Sequence, residues 1–396
     1  MREYIDLIRG YSRQNYKNMM HGAAGQLRYP FIVPGSQSYS HVLWDWDSWL
    51  TDVAVRQVRT DNGDLSEAYT ECERGCIRNF LDHMDSQGRI PIAITADSSI
   101  PRPEERNFNF HKPCLAQHMA FIVRENGSDR SWLESCFGRL EAFISCYREH
   151  CHHRETGLYY WRNDVAIGVD NDPCTFYRPD NSSASVYLNC LMYKELKAME
   201  YLCGCTGRDG GEYREQAEAL KQAVNACLWD ERNGFYYSAD INLLPVDPDT
   251  YYHSGMPRHW HCVLQKIDVW SGFLTMWAGI AGQERAERMV YENMKVERLF
   301  NGRYGIRTLA KTEPMYRIAA SHNPSCWLGP VWGVSDYMCF KGLVDYGFTE
   351  EAGKLAEKTI ILLGKSIAGC GEMYEYYDPD SGEGIINSGF QNWNLL

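Results

Sequence analysis

Apolar residues recur along most of the chain at the three- and four-residue spacing of an amphipathic helix, and long alternating stretches are scarce. The segment after Ser183 is a clear case, because Val186, Leu191 and Met199 return among Lys and Glu before a stop signal at Gly204. The pattern predicts helices at roughly 2–20, 47–60, 64–84, 112–126, 130–150, 184–204, 210–227, 268–281, 284–296, 327–346 and 349–368, with a twelfth starting near Trp393.

The connections between these helices alternate in length. Short connections form antiparallel helix pairs, and long ones, rich in Gly, Pro, Asn, Asp and aromatic residues, precede each pair at 21–46, 85–111, 151–183, 228–267, 297–326 and 369–392. Five pairs follow directly, and the first and twelfth helices close a ring, although the twelfth has only a short stub before Leu396 unless another chain completes it. The sequence therefore predicts an all-α (α/α)6 toroid that forms one domain over 1–396, with the six long loops at one rim.

Composition narrows the range of partners. The formal net charge of -12 argues against nucleic acid and anionic membranes as partners, and no apolar run approaches the length of a membrane span. Aromatic residues make up 13% of the chain and are frequent in the polar loops, where core packing alone explains them poorly. This favours a small-molecule ligand such as a sugar, whose apolar ring face packs on aromatic side chains.

The chain has 15 cysteines, an odd number without metal-site spacing. The first ten residues are charged and lack the apolar core of a signal peptide. We therefore expect reduced thiols, a cytoplasmic protein, and neither a metal ion nor an organic cofactor.

Two stretches place carboxylates among aromatic residues, prolines and turn residues: Val169–Pro173 and Glu372–Pro379. Aromatic surroundings desolvate a carboxyl group and can raise its pKa. Two carboxyl groups in different surroundings are what cleavage of a glycosidic bond requires, one as acid and one as base. Each stretch offers two candidates for its catalytic role: Asp170 or Asp172 as the acid, and Glu375 or Glu372 as the base. Formation of a turn is another explanation for Asp170.

Aromatic and polar residues cluster where the long loops meet the predicted helices. Asp47 with Ser48 could simply cap a helix, and His111 and one of the later tryptophans could be structural, but this density of indoles next to carboxylates favours a sugar platform. The candidate substrate-binding residues are Trp44, Trp46, Asp47, His111, Lys112, Asn171, Trp270, Trp327, Gly329, Trp332 and Tyr376.

Six segments in order resemble glycoside hydrolase family 63 and its trehalase-like relatives, especially the compact bacterial members: Trp46–Trp49, Gly168–Asn171, Ser185–Glu195, Leu228–Tyr237, Trp327–Trp332 and Glu375–Glu383. The resemblance implies an inverting, exo-acting α-glycosidase on the toroid, with Asp170 as general acid and Glu375 as general base. It also implies that Trp46 and Asp47 hold the terminal sugar and that Trp327 and Trp332 line the cleft. Inversion requires roughly 6.5–9.5 Å between the two carboxyl groups, which leaves room for a water molecule.

The chain departs from this pattern at two positions. Leu328 stands where many relatives have Arg, and Tyr187 stands where they have Asp. Leu328 makes the wall near the sugar or the leaving group more apolar, which favours a neutral α-glucoside over a charged substrate. The alternative is a hydrolase of mannosylglycerate or glucosylglycerate.

Two other functions fit the same toroid. A sugar 2-epimerase would use histidines as acid and base, and His111, His259, His261 and His322 all lie in the long loops. A sugar-binding protein would need no catalytic residue. Only a hydrolase releases the aglycone from an aryl α-glucoside.

Overall fold

In the computed structural model of this protein, the described residues are 1–64, 66–101, 108–126, 131–244, 258–319 and 324–396. Helices dominate this part of the chain. They are α1 Arg2–Asn15, α2 Asp45–Asn62, α3 Glu67–Asp82, α4 Leu115–Asn126, α5 Ser131–His150, α6 Val186–Thr206, α7 Gly211–Cys227, α8 Leu274–Ala278, α9 Gln283–Arg288, α10 Gly333–Asp345 and α11 Thr349–Cys370.

The helices form two concentric layers. In the inner layer α2, α4, α6, α8 and α10 each pack against the next, and a 3-10 turn at Asn392–Leu395 packs against both α10 and α2. This turn takes the sixth inner position and closes the ring. The remaining helices lie outside, with α1 packed against α11. The predicted (α/α)6 toroid is confirmed, with a single turn in the twelfth position.

Short antiparallel strands fold the long connections back on themselves. The strands are β1 Met20–His21, β2 Phe31–Ile32, β3 Leu43–Trp44, β4 Ala93–Ile94, β5 Ser99–Ile100, β6 His152–His153, β7 Leu158–Tyr159, β8 Ser183–Ala184, β9 Trp229–Asp230, β10 Phe235–Tyr236, β11 Ala239–Asp240 and β12 Val263–Leu264. The pairings are β1–β2, β3–β4–β5, β6–β7, β8–β11–β12 and β9–β10.

The structure explains three of the helix boundaries that differ from the predicted ones. Helix α6 continues through Gly204 and ends before Gly207, whose left-handed φ of 75° stops it. Helix α8 has five residues and ends at Gly279 in the same conformation. The helix predicted from 327 begins only at Gly333, because Val331 exchanges two backbone hydrogen bonds with Tyr377 instead of entering the helix.

Buried side chains fill the space between the layers. All fifteen cysteines carry free thiols, and eleven of them are buried with the apolar core. None of the described helices is both long and apolar enough to cross a bilayer.

The contact between α1 and α11 depends on a glycine. A Cβ added to Gly364 of α11 would lie 2.3 Å from the Cβ of Tyr4 on α1. We expect Gly364→Ala to destabilise the fold by about 1–3 kcal/mol, because the two helices must move apart. Gly353 on the same helix has no atom within 4 Å of that position, so Gly353→Ala should stabilise the fold by about 0.5–1 kcal/mol. Urea unfolding measures both changes, and equal midpoints for the two variants would contradict the proposed packing.

Candidate active site

A cavity of about 760 Å³ lies at the rim where long connections meet the inner helices. This size is typical of small-molecule sites. Its lining residues are Tyr39, Trp44, Trp46, Asp47, Lys112, Asp164, Val165, Ala166, Gly168, Asp170, Asn171, Phe176, Tyr177, Met315, Arg317, Ser325, Leu328, Trp332, Glu375, Phe390 and Trp393. Eight of the predicted site residues are among them: Trp44, Trp46, Asp47, Lys112, Asp170, Asn171, Trp332 and Glu375.

Five residues predicted to contact substrate lie behind the cavity wall instead: His111, Trp270, Trp327, Gly329 and Tyr376. His111 packs edge-on against the ring of Phe80 at 4.5 Å and is fully buried. Gly329 has a φ of 141°, and a Cβ there would lie 2.5 Å from the ring of Tyr316. These two positions are therefore constrained by packing rather than open to a ligand.

The other three form an aromatic stack behind Trp332. The Trp327 indole stacks on Trp332 at 4.0 Å and on Trp270 at 5.8 Å. The ring of Tyr376 also stacks on Trp332, at 4.9 Å. Trp332 also lines the cavity, so this stack fixes the position of one indole in the cavity wall.

Asp170 lies in a turn of unusual backbone conformation. Gly168 has a φ of 84°, and a Cβ there would lie 2.5 Å from the side chain of Lys112, so only glycine fits. Asn171 has a φ of 52°; its amide donates to the Ser325 carbonyl and accepts from the Trp327 amide, both at 3.0 Å. The turn therefore holds Asp170 at the cavity and is tied to the segment that leads to Leu328.

In each pair of candidate carboxylates, one residue lines the cavity and the other does not. Asp172 does not line the cavity; it is buried and accepts the Cys174 amide, and burial raises its pKa to about 6. Glu372 also lies off the cavity and accepts the Tyr11 hydroxyl at 2.9 Å. Asp170 and Glu375 are the members that reach the cavity.

Glu375 is 3% exposed and is held by two neutral donors. The Tyr39 hydroxyl lies 3.2 Å from each carboxylate oxygen, and the Asn387 side-chain amide donates to Oε2. Burial raises the pKa of Glu375 to about 7; the two donors lower it and the charge of Asp170 raises it. Glu375 therefore changes charge near neutral pH, in the electrostatic field of Asp170.

The inner end of the cavity carries a buried charge cluster. The Lys112 ammonium lies 2.8 and 3.0 Å from the two Asp45 oxygens. Asp47 accepts the Asn392 amide at 2.7 Å; burial raises its pKa to about 8, against the lowering effect of Lys112. Asp47 keeps its other oxygen for a hydrogen bond with a sugar hydroxyl in either protonation state.

Tyr39 and Asn387 were not anticipated from the sequence. They lie 336 and 12 residues from Glu375 along the chain, in turns with no motif of their own. The left-handed φ of 48° at Asn387 marks a constrained position, but it is visible only in the structure.

The histidines proposed for epimerase chemistry do not form a site in the described residues. Burial lowers the pKa of His111 to about 4, so the ring is neutral, and it lies off the cavity with His259 and His261. The Nδ1 of His261 lies 3.0 Å from a Glu155 oxygen. His322 falls outside the described residues.

Known proteins share this architecture. The crystal structure of a mannosylglycerate hydrolase from Thermus thermophilus in complex with glucose has a TM-score of 0.70, with 19% identity and 97% of each chain covered. The neutral trehalase Nth1 of Saccharomyces cerevisiae has a TM-score of 0.64 at 16% identity and covers 93% of this chain and 72% of its own. At these identities the likeness establishes the fold.

Curated relatives point to the same group. The mannosylglycerate hydrolase of Rubrobacter radiotolerans is 21% identical with 89% of each chain covered. The cytosolic neutral trehalase of Kluyveromyces lactis is 25% identical over 89% of this chain, and the match covers 45% of the trehalase. The match to α-glucosidase 2 of Arabidopsis thaliana covers 48% of that protein. The chain therefore spans about half the length of these two relatives. A family model described as the mannosylglycerate hydrolase MGH1-like glycoside hydrolase domain matches residues 39–394. The chain belongs to this glycoside hydrolase family.

Proposed function

We propose that this protein is an inverting glycosidase that removes the terminal sugar from the non-reducing end of a small α-glycoside. The observation that carries the proposal is that Asp170 and Glu375, from two different loops, line one cavity, where the charge of Asp170 raises the pKa of Glu375. Names of its relatives, which include mannosylglycerate hydrolases, trehalases and α-glucosidase 2, support the reaction class.

In the proposed mechanism Glu375 is the general base. Its ionised form takes a proton from a water molecule that attacks the anomeric carbon, on the face opposite the leaving group. The Tyr39 and Asn387 donors are suited to orient the carboxylate. Burial raises the pKa of the Tyr39 hydroxyl well above its usual range, so Tyr39 remains a donor.

Asp170 is the general acid and protonates the glycosidic oxygen as the leaving group departs. The separation expected between the two carboxyl groups is roughly 6.5–9.5 Å, which accommodates the attacking water.

The terminal sugar is proposed to occupy the inner end of the cavity. Trp46 and Trp332 line this end with indole side chains, and Asp47 lines it with a carboxyl group that can hydrogen-bond to sugar hydroxyls. All three side chains are almost fully buried, so this end is suited to one sugar residue rather than to the middle of a polymer. This supports exo attack on short substrates.

Activity on an aryl α-glucoside tests the proposal. We expect hydrolysis by the natural protein, with kcat lowered by at least ~10²-fold in Asp170→Asn and in Glu375→Gln. Glu372→Gln is the matched control and should retain activity, because Glu372 lies off the cavity. Proton NMR during hydrolysis should show β-glucose first. Full activity of either catalytic variant, or α-glucose as the first product, would contradict the assigned roles or the inversion.

The pH dependence of kcat/KM tests the role of Asn387. Because Glu375 must be ionised and burial raises its pKa to about 7, activity should fall as the pH drops below that value. Asn387→Ala removes a bond that favours the charged form, so the acidic limb should move up by about one pH unit. Glu372→Gln should leave the limb in place; an unmoved or lowered limb in Asn387→Ala would contradict this assignment.

We also propose that residues 1–396 act as one catalytic domain in the cytoplasm, without a metal ion or organic cofactor. The free thiols fit a reducing compartment, and the described residues contain no group of three His, Cys, Asp or Glu arranged to hold a metal. We expect full activity after prolonged dialysis against EDTA. Loss of activity that calcium restores would refute the cofactor part.

A further inference from the structure

Two cysteines that do not line the cavity lie against each other. The Sγ of Cys262 lies 3.9 Å from the Cys227 carbonyl oxygen, and its thiol donates a hydrogen bond to the sulfur of Cys227. Both residues are partly exposed, whereas eleven of the fifteen cysteines are buried. Because neither residue lines the cavity, the proposed hydrolysis gives no reason for this pair of thiols.

The fold holds the two segments that carry these cysteines together. Cys227 is the last residue of α7, two residues before β9, and Cys262 directly precedes β12. The Lys266 ammonium, two residues after β12, lies 2.6 Å from a carboxylate oxygen of Asp230 in β9. An ion pair between the segments therefore accompanies the contact between the thiols and keeps the two sulfurs close.

The surroundings of Cys227 favour its thiolate. The hydrogen bond from Cys262 and the charge of His261 lower the pKa of the Cys227 thiol, against the effect of burial. The thiolate is the form of cysteine that attacks a disulfide. The same hydrogen bond raises the pKa of Cys262, so Cys227 is the member of the pair that reacts first.

Cys72 and Cys76 provide an internal comparison. They lie four residues apart on α3, a spacing that makes side chains neighbours on a helix. Both are buried, and burial raises the pKa of both thiols. They are therefore neither accessible to a small disulfide nor in the reactive form, so proximity alone does not make a cysteine pair reactive.

We propose that Cys227 and Cys262 form a site of reversible thiol modification, at which a low-molecular-weight disulfide converts the pair into an intramolecular disulfide. This inference does not depend on the proposed hydrolysis. Disulfides in a reducing compartment are typically transient. The pair is therefore reduced under ordinary conditions and becomes oxidised when small disulfides accumulate.

The reaction consists of two exchange steps. The Cys227 thiolate attacks one sulfur of the small disulfide, whose S–S bond breaks, and one small thiol leaves with the proton that Cys227 lost. The Cys262 sulfur then loses its proton and attacks the Cys227 sulfur of the mixed disulfide, which releases the second small thiol with that proton. Two protein thiols are oxidised, and one small disulfide is reduced to two thiols.

The disulfide closes residues 228–261 into a covalent loop between α7 and β12. Closing a loop restricts the unfolded chain and so stabilises the folded one. The oxidised protein should therefore unfold at a temperature about 3–5 °C higher than the reduced protein.

Peptide mapping after incubation with glutathione disulfide tests the proposal. The remaining thiols are alkylated under denaturing conditions, and the protein is digested and analysed by mass spectrometry. We expect a pair of peptides joined through Cys227 and Cys262, while Cys72 and Cys76 are recovered in alkylated form. Dithiothreitol should reverse the crosslink and the rise in unfolding temperature.

Three variants separate crosslinking from the formation of a simple adduct. In Cys262→Ser the mixed disulfide has no thiol to resolve it, so one glutathionyl group should accumulate on Cys227. In Cys227→Ser the crosslink and the rise in unfolding temperature should both disappear. Cys370→Ser is the matched control, because Cys370 is an exposed cysteine elsewhere on the chain, and it should retain both.

The proposal fails if the natural protein keeps free thiols at Cys227 and Cys262 after this treatment. It also fails if a glutathionyl group remains on Cys227 in the natural protein, because Cys262 then does not attack the mixed disulfide. A crosslinked protein with an unchanged unfolding temperature would overturn the stabilising effect. Each of these outcomes leaves the proposed hydrolysis standing.

Discussion

The buried amide of Asn392 joins the closure of the helical ring to the cavity. Its nitrogen donates to Asp47 and its oxygen accepts the Thr51 hydroxyl, each at 2.7 Å, while its backbone amide donates to the Pro34 carbonyl. The side chain is fully buried, and a buried polar group without partners costs about 1–3 kcal/mol. Moving the last inner turn away from α2 would therefore leave the side chains of Asn392, Asp47 and Thr51 without these hydrogen bonds. The contact that completes the toroid also holds Asp47 in place.

The fold was largely predictable because its dominant signal is local. Amphipathic periodicity and the alternation of short and long connections depend on neighbouring residues, and they located the helices and their pairing. The errors arose where distant contacts override local preference. Val331, for example, leaves the predicted helix to pair with Tyr377 in a distant part of the chain.

The candidate site was predictable only in part. Motif residues such as Asp170, Glu375 and Trp46 do lie at the cavity, because these motifs were recognised by the residue types that the chemistry requires. The sequence does not show which side of an indole faces a ligand, so Trp327 and Trp270 were placed in the cleft although they form its backing. Asn387 was missed because it acquires its position through a partner, Glu375, that the sequence alone does not identify.

The lining residues of the cavity differ in how freely they can change, as the backbone hydrogen bond from Arg317 to Leu328 shows. The inner part is built from stacked indoles and buried charges, where each side chain supports several others. The outer wall consists of two chain segments held together through their backbones, and a backbone hydrogen bond does not depend on the identity of the side chain. A charged side chain can therefore be gained or lost by substitution at these positions without disturbing Asp170 and Glu375. Such a division gives a lineage of enzymes a route to new leaving groups by drift at the mouth alone.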